Sequence, residues 1–135
     1  MDFIDEAVKI AGRSSIGKHK TGAIFVRNGE IISNGWSHVP HYKLHSKKRS
    51  LHAELHALAR ARHLNLNGVE CYVATLVSRN DNRVNGKPCL DCAIALKTAG
   101  IIWVTYTHQY LGVVDLNLSD PSTFDDLKVY DSNSI

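Results

Sequence analysis

Two short motifs in this chain combine residue types that bind metal ions and move protons. The first is His52-Ala53-Glu54, and the second is Pro88-Cys89-Leu90-Asp91-Cys92. One imidazole nitrogen and two thiolates form a borderline-soft ligand set that suits zinc, and three protein ligands leave the fourth tetrahedral position for water. A neighbouring carboxylate can then act as a general acid and base. The motifs therefore predict a catalytic zinc site with three protein ligands, His52, Cys89 and Cys92, and with Glu54 as the catalytic proton carrier.

Other interpretations of the same residues stay open at this point. A Cys-x-x-Cys pair alone also fits a redox pair or half of a structural zinc site. His56 lies one helical turn after His52, so a structural zinc-binding module without enzymatic activity could use four ligands, namely His52, His56, Cys89 and Cys92. A metalloprotease is disfavoured, because the zincin motif needs Glu directly after its first His, where this chain has Ala53.

Both motifs are predicted to lie where helices begin. Unpaired N–H groups and partial positive charge at a helix N-terminus stabilise thiolates, and Pro88 suits a first helical turn because its missing N–H needs no partner there. Along a helix, His52 and Glu54 would diverge by roughly 200°. Both side chains can therefore face one cavity only if the helix starts at this motif.

The elements that position these helices follow from hydrophobic periodicity. Residues 2–12 predict an amphipathic helix that ends near Gly12, and two strand-like runs, 21–26 and 31–36, flank Asn28-Gly29, a dipeptide favoured in hairpin turns. The basic stretch 38–50 is predicted to be a loop ending in Ser50, a helix N-cap, with the second helix extending to about Leu66. Further strands are predicted over 69–77 and 101–106, with a helix over 89–99 between them.

This order of elements predicts the α/β class. A three-layer α/β/α sandwich is expected, with a mixed sheet of four to five strands, an N-terminal antiparallel hairpin and parallel pairing of later strands. Residues 1–135 are interpreted as a single domain. The tail over 108–135 shows little periodicity, and Ser119-Asp120-Pro121 predicts only a short helix there.

The motifs also resemble those of the zinc-dependent cytidine and deoxycytidylate deaminase superfamily. The resemblance extends from about Ala7 to Tyr106 and includes the segments 20–26, Gly35-Trp36, 51–58, 87–92 and Gly100-Ile101. His-x-Glu followed by Pro-Cys-x-x-Cys is the known signature of zinc deaminases. The family's fold is therefore expected, with one catalytic Zn²⁺ as cofactor.

The resemblance implies a hydrolytic mechanism. Zinc lowers the pKa of a water molecule toward about 7, and Glu54 transfers protons to the ring nitrogen and the departing ammonia. Substrate contacts are expected, by the same resemblance, from Ser37, Ala53, Trp36 and Pro88. Many members carry Asn where this chain has Ser37, and a serine offers a different hydrogen-bonding group for recognition of the sugar.

Composition limits the class of protein and its partners. The chain carries a net charge of +3, and 11 of its 16 Lys and Arg residues precede residue 64, which permits a phosphate-bearing partner. Residues that flank the two motifs are candidates for a phosphate contact, namely Lys18, His19 and Lys20, the Lys47–Arg49 run, and Arg79, Arg83 and Lys87. Three cysteines do not describe a disulfide framework, and neither a secretion signal nor an apolar run of about 18 residues is present. A cytoplasmic homo-oligomer is expected, without membrane association.

The substrate class follows less directly from the sequence. Members of the superfamily act on nucleosides, nucleotides, tRNA adenosine, guanine, riboflavin precursors or single-stranded nucleic acid. The small charge excess and the short chain favour cytosine in a free nucleoside or nucleotide, namely cytidine, deoxycytidine, CMP or dCMP. The alternative is a base in single-stranded nucleic acid, either DNA cytosine or tRNA adenosine, which would require an open groove with a continuous basic track.

Overall fold

The computed structural model describes residues 2–15, 17–40 and 50–133. Its elements in chain order are α1 (Phe3–Ala11), β1 (His19–Arg27), β2 (Glu30–Trp36), α2 (Ala53–Arg60), β3 (Glu70–Val77), β4 (Arg83–Val84), α3 (Leu90–Ala99), β5 (Trp103–His108), β6 (Gly112–Asn117) and α4 (Pro121–Asn133). No helix in the described ranges is long and apolar enough to cross a membrane.

The strands form one mixed sheet in the order β2-β1-β3-β5-β6, and the two-residue β4 pairs with β3. The predicted hairpin is confirmed, since β1 and β2 are antiparallel and its turn residues have positive φ values, 51° at Asn28 and 80° at Gly29. β3 and β5 are parallel, whereas β5 and β6 are antiparallel. The sheet thus has six strands rather than the expected four or five. The two strands that the sequence pattern does not predict are β4 and β6.

Helices cover both faces of the sheet, which confirms the three-layer prediction. On one face Ala7 of α1 packs with Ile24 and Val26 of β1. On the other face lies the larger core, which includes Ala57 of α2, Leu96 of α3 and Leu127 of α4. Both helices that carry the zinc motifs therefore lie in the same layer.

Two predicted boundaries are wrong. The second helix begins at Ala53 with His52 as its N-cap, not after Ser50, because Leu51 is extended and exchanges two backbone hydrogen bonds with His38. The same helix ends at Arg60 rather than near Leu66. The tail over 108–135 also contains more structure than the predicted short helix, namely β6 and the helix α4.

Candidate active site

The first half of the site lies at the start of α2. His52 is the N-cap residue, with φ −69° and ψ 149°, so its backbone is extended while Glu54 is already in the first turn. This change of backbone conformation allows His52 and Glu54 to line the same cavity. The geometry that the spacing requires is therefore present.

The second half lies at the start of α3. Cys89 is the N-cap residue, and its Sγ accepts a hydrogen bond from the backbone N–H of Cys92 at 3.4 Å. The sequence predicts Pro88 within the first helical turn, but Pro88 precedes the N-cap and lies outside that turn. Gly100 ends α3 in the left-handed conformation with φ 107°, which a residue without Cβ adopts readily.

The side chains of the two helix starts converge on one point. The Nδ1 atom of His52 lies 3.3 Å from Sγ of Cys92 and 3.6 Å from Sγ of Cys89, and the three ligand atoms lie within 4.8 Å of one another. At usual zinc bond lengths, a tetrahedral ion separates neighbouring nitrogen and sulfur donors by roughly 3.5 Å. The geometry and the donor set both fit, so His52, Cys89 and Cys92 are positioned to bind one zinc ion.

The two thiols of this group differ in acidity. A hydrogen bond from the Cys92 thiol lowers the pKa of Cys89 to about 4, and contacts with His52 and the Cys92 N–H act in the same direction. The same hydrogen bond and burial raise the pKa of Cys92. The hydrogen bond with Cys89 also raises the pKa of His52. Cys89 is therefore the thiolate of the pair.

Glu54 is a buried carboxyl group in the wall of the same cavity. Only 4% of the residue is exposed, and burial raises its pKa, whereas a backbone N–H at the helix start and His52 lower it. A carboxyl group with a raised pKa exchanges protons more readily near neutral pH. The site thus combines a metal-ligand set with a group suited to proton transfer.

The cavity has a volume of about 480 Å³, and both polar and apolar groups line it. Its lining residues come from β1, β3, β4, both helix starts and the connecting loops: His19, Thr21, Ser37, His52, Ala53, Glu54, Thr75, Val84, Asn85, Gly86, Lys87, Cys89 and Gln109. Thr21 and Thr75 face each other across β1 and β3, with their hydroxyls 3.0 Å apart.

The four residues expected to contact substrate do not all lie in this lining. Ser37 and Ala53 line the cavity, whereas Trp36 and Pro88 are not among the lining residues. The hydroxyl of Ser37 is already engaged, since it accepts from the backbone N–H of Thr21 at 3.1 Å and lies 2.9 Å from Oγ of Ser14. Trp36 packs instead against His38 and His56.

The structure does not form the alternative four-ligand zinc site. His56 is not part of the metal-ligand group, and its Nδ1 atom accepts a hydrogen bond from the backbone N–H of Trp36 at 3.1 Å.

Two of the cations considered as phosphate contacts are engaged in ion pairs, Lys20 with Asp81 and Arg83 with Asp5, each at 2.7 Å. The Lys47–Arg49 run lies outside the described residues.

His19 and Lys87, two of the residues considered as phosphate contacts because of their charge and position near the motifs, line the cavity. Sequence patterns left other lining residues unassigned to the site. Thr75, Asn85 and Gln109 carry no comparable signal, because only the pairing of distant strands and loops brings them to the cavity.

Comparisons with known proteins place this site in context. The chain matches the family described as the cytidine and deoxycytidylate deaminase zinc-binding region over residues 1–108. A search of curated protein sequences finds no match.

Solved structures show the same fold. The dCMP deaminase of cyanophage S-TIM5 is similar with a TM-score of 0.66 and 24% identity, over 94% of this chain and 87% of that chain. Cytidine deaminase from Burkholderia pseudomallei has a TM-score of 0.68 and 19% identity, over 87% of this chain and 91% of that chain. RibD of Acinetobacter baumannii has a TM-score of 0.56 and 21% identity, over 93% of this chain and 32% of that chain.

The structural comparisons confirm the cytidine deaminase-like fold, and the family match includes both zinc motifs. The chain therefore belongs to the cytidine and deoxycytidylate deaminase family of zinc-dependent hydrolases.

Proposed function

We propose that this protein converts cytosine to uracil in a free nucleoside or nucleotide, with Glu54 as the catalytic residue. The observation that carries the proposal is the position of Glu54. Its buried carboxyl lines the same cavity as His52 and Cys89, two of the three residues positioned to bind zinc. A hydrolytic deaminase needs this combination of a metal site and a proton carrier in one cavity.

The proposed reaction adds water to the base and releases ammonia. A bound zinc ion supplies a Lewis acid that activates water for attack. Glu54 accepts a proton from the attacking water and delivers it to the ring nitrogen next to the reacting carbon. It then accepts the remaining proton of the added hydroxyl and transfers it to the departing amino group. The carbon–nitrogen bond to that group breaks, and the products are the uracil ring and ammonia.

The character of the cavity supports a small polar substrate and favours a phosphorylated one. A volume of about 480 Å³ is in the range of small-molecule sites, and Lys87 and His19 place cationic or polar groups in the same lining. The hydroxyls of Thr21 and Thr75 offer hydrogen bonds to a polar ligand. The similar cyanophage dCMP deaminase has been crystallised with dCMP and dUMP.

A comparison of substrates tests the proposal. We expect zinc-loaded protein to change the ultraviolet absorbance of cytidine, deoxycytidine, CMP or dCMP and to release ammonia. The Glu54→Ala variant should bind one zinc per chain and lose this activity, because the metal ligands remain while the proton carrier is removed. Activity confined to a single-stranded oligonucleotide, or full turnover by Glu54→Ala, would contradict the proposal.

A further inference from the structure

His56 forms an unusual contact between α2 and the end of the edge strand β2. It lies two residues after Glu54, and its Nδ1 atom accepts the backbone N–H of Trp36 at 3.1 Å. Its ring also packs edge-on against the indole of Trp36 and the ring of His38, at centroid distances of 4.5 and 4.4 Å. Because Nδ1 accepts a hydrogen bond, the ring proton of neutral His56 is assigned to Nε2.

A second histidine holds the other polar group of the same residue. Nδ1 of His38 donates to the carbonyl oxygen of Trp36 at 2.8 Å. The backbone of His38 exchanges hydrogen bonds of 3.2 and 2.7 Å with Leu51, the residue directly before His52. The end of β2 is therefore connected to both sides of the first turn of α2.

Strand geometry explains why Trp36 needs these partners. β2 is an edge strand, and the next residue, Ser37, donates its N–H to the Thr21 carbonyl of β1 at 2.9 Å. In an antiparallel ladder the polar groups of successive residues alternate between the two sides of a strand. The N–H and C=O of Trp36 therefore point away from β1, where imidazole groups take the place of a further strand.

We propose that His56 is a positioning residue for deamination, which fixes the first turn of α2, and with it Glu54, through the hydrogen bond from Trp36. The inference rests on the proposed role of Glu54. A second hydrogen bond between β2 and this helix, from Ser33 Oγ to the Ala57 carbonyl at 2.9 Å, lies further along α2. Gly35 of β2 also lies close to the helix, but it meets the backbone by packing alone. His56 thus ties the first turn of α2 to the edge strand through a side-chain hydrogen bond.

The surroundings of His56 favour the neutral ring that this contact requires. Burial lowers the pKa of His56, and His38 and Arg60 lower it further. The indole of Trp36, which packs against His56, also lies beneath two cations, Arg13 and Arg60, at 5.1 and 5.4 Å from the ring centroid. A neutral His56 can accept the Trp36 N–H, whereas a protonated ring could only donate.

Two substitutions separate the hydrogen bond from simple packing. Leu at position 56 fills a similar volume without an acceptor, whereas the Asn side-chain oxygen can take the place of Nδ1. We expect His56→Leu to lower kcat by roughly 10- to 100-fold with KM changed much less, since small displacements of a catalytic group have effects of that size. His56→Asn should recover most of kcat, and His63→Leu, at an exposed position outside the site, should match wild type.

Two further measurements accompany the kinetics. Amide hydrogen exchange at Trp36 should be faster in His56→Leu than in wild type and should be slow again in His56→Asn. Zinc content should stay at one ion per chain in both variants, because His56 is not among the metal-binding group.

Three results would overturn the proposal. These are an unchanged kcat in His56→Leu, loss of zinc from that variant, or equal loss of kcat in the folded Leu and Asn variants. The kinetics use whichever amino-bearing base the wild-type protein deaminates. A substrate other than cytosine would therefore overturn the proposed function while the kcat ratios still test His56.

Discussion

The cysteines of this chain occupy very different electrostatic environments. A hydrogen bond from Cys92 lowers the pKa of Cys89 to about 4, so Cys89 is a thiolate at neutral pH. Burial raises the pKa of Cys71. The hydrogen bond between Cys92 and Cys89 raises the pKa of Cys92. Thiolates, not thiols, react with alkylating reagents. The metal-free protein should therefore carry one reactive cysteine among three.

We predict that iodoacetamide modifies metal-free protein first at Cys89. The rate should stay nearly constant from pH 8 to about pH 5, because a thiol with a pKa of about 4 remains ionised over that interval. Zinc should slow the reaction by occupying the sulfur. Peptide mass spectrometry identifies the modified residue. Equal labelling of Cys71 and Cys89, or a rate that falls steeply below pH 8, would contradict the predicted acidity.

The side chains that could be predicted from sequence are those whose chemistry is concentrated in short motifs. His52, Cys89 and Cys92 combine ligand type with helix-start spacing, so their convergence followed from local rules. Thr75 reaches the cavity for a different reason. It pairs with Thr21 across β1 and β3, and strand register depends on packing of the whole sheet rather than on either segment.

Two glycines control how closely the helices approach the sheet. A Cβ at Gly35 of β2 would collide with the backbone of α2 at Ala53 and Ala57. A Cβ at Gly22 of β1 would collide in the same way with α1, at Ala7 and Ala11. The two positions are therefore matched in their packing, but only the first supports the helix that carries Glu54.

We predict that Gly35→Ala and Gly22→Ala each lower the free energy of unfolding, by about 1–3 kcal/mol, because close-packed backbone must move apart. Urea denaturation measures this change. Only Gly35→Ala should also lower kcat substantially, since it displaces the turn that carries Glu54, whereas Gly22→Ala displaces α1. Equal effects of the two variants on kcat would show that the spacing between α2 and β2 does not determine kcat.

Elements with strong local signals agreed with prediction, and those that depend on distant partners did not. The hairpin turn at Asn28-Gly29 follows from the positive φ values that these two residues tolerate, and α1 ends next to Gly12 as its periodicity predicts. The second helix starts later than predicted because the backbone of Leu51 pairs with that of His38. Strand β6 carries exposed residues at the edge of the sheet, so its pattern lacks the buried alternation that identifies a strand.

The assembled domain leaves several large apolar side chains exposed on the β5–β6 hairpin. Trp103 is 48% exposed and Val113 is 49% exposed. The two lie on the same face, because Val113 pairs with Thr107, four residues after Trp103. Exposed apolar groups of this kind are compatible with self-association. Homo-oligomerisation and a cytoplasmic location remain predictions.

Zinc binding should stabilise the whole domain rather than the site alone. The ligands join the starts of α2 and α3, which pack against one shared core, so a metal ion bound by all three selects the folded chain.

A ligand that binds only the native state at 100 times its Kd contributes about 2.7 kcal/mol. For a chain of 135 residues we predict a rise in Tm of roughly 10 °C when zinc is restored to metal-free protein. Differential scanning calorimetry with and without a chelator measures this shift. Cys92→Ser should lose most of it, whereas Glu54→Ala should retain it, because that variant keeps every ligand. An equal shift in Cys92→Ser would show that zinc stabilises the protein elsewhere.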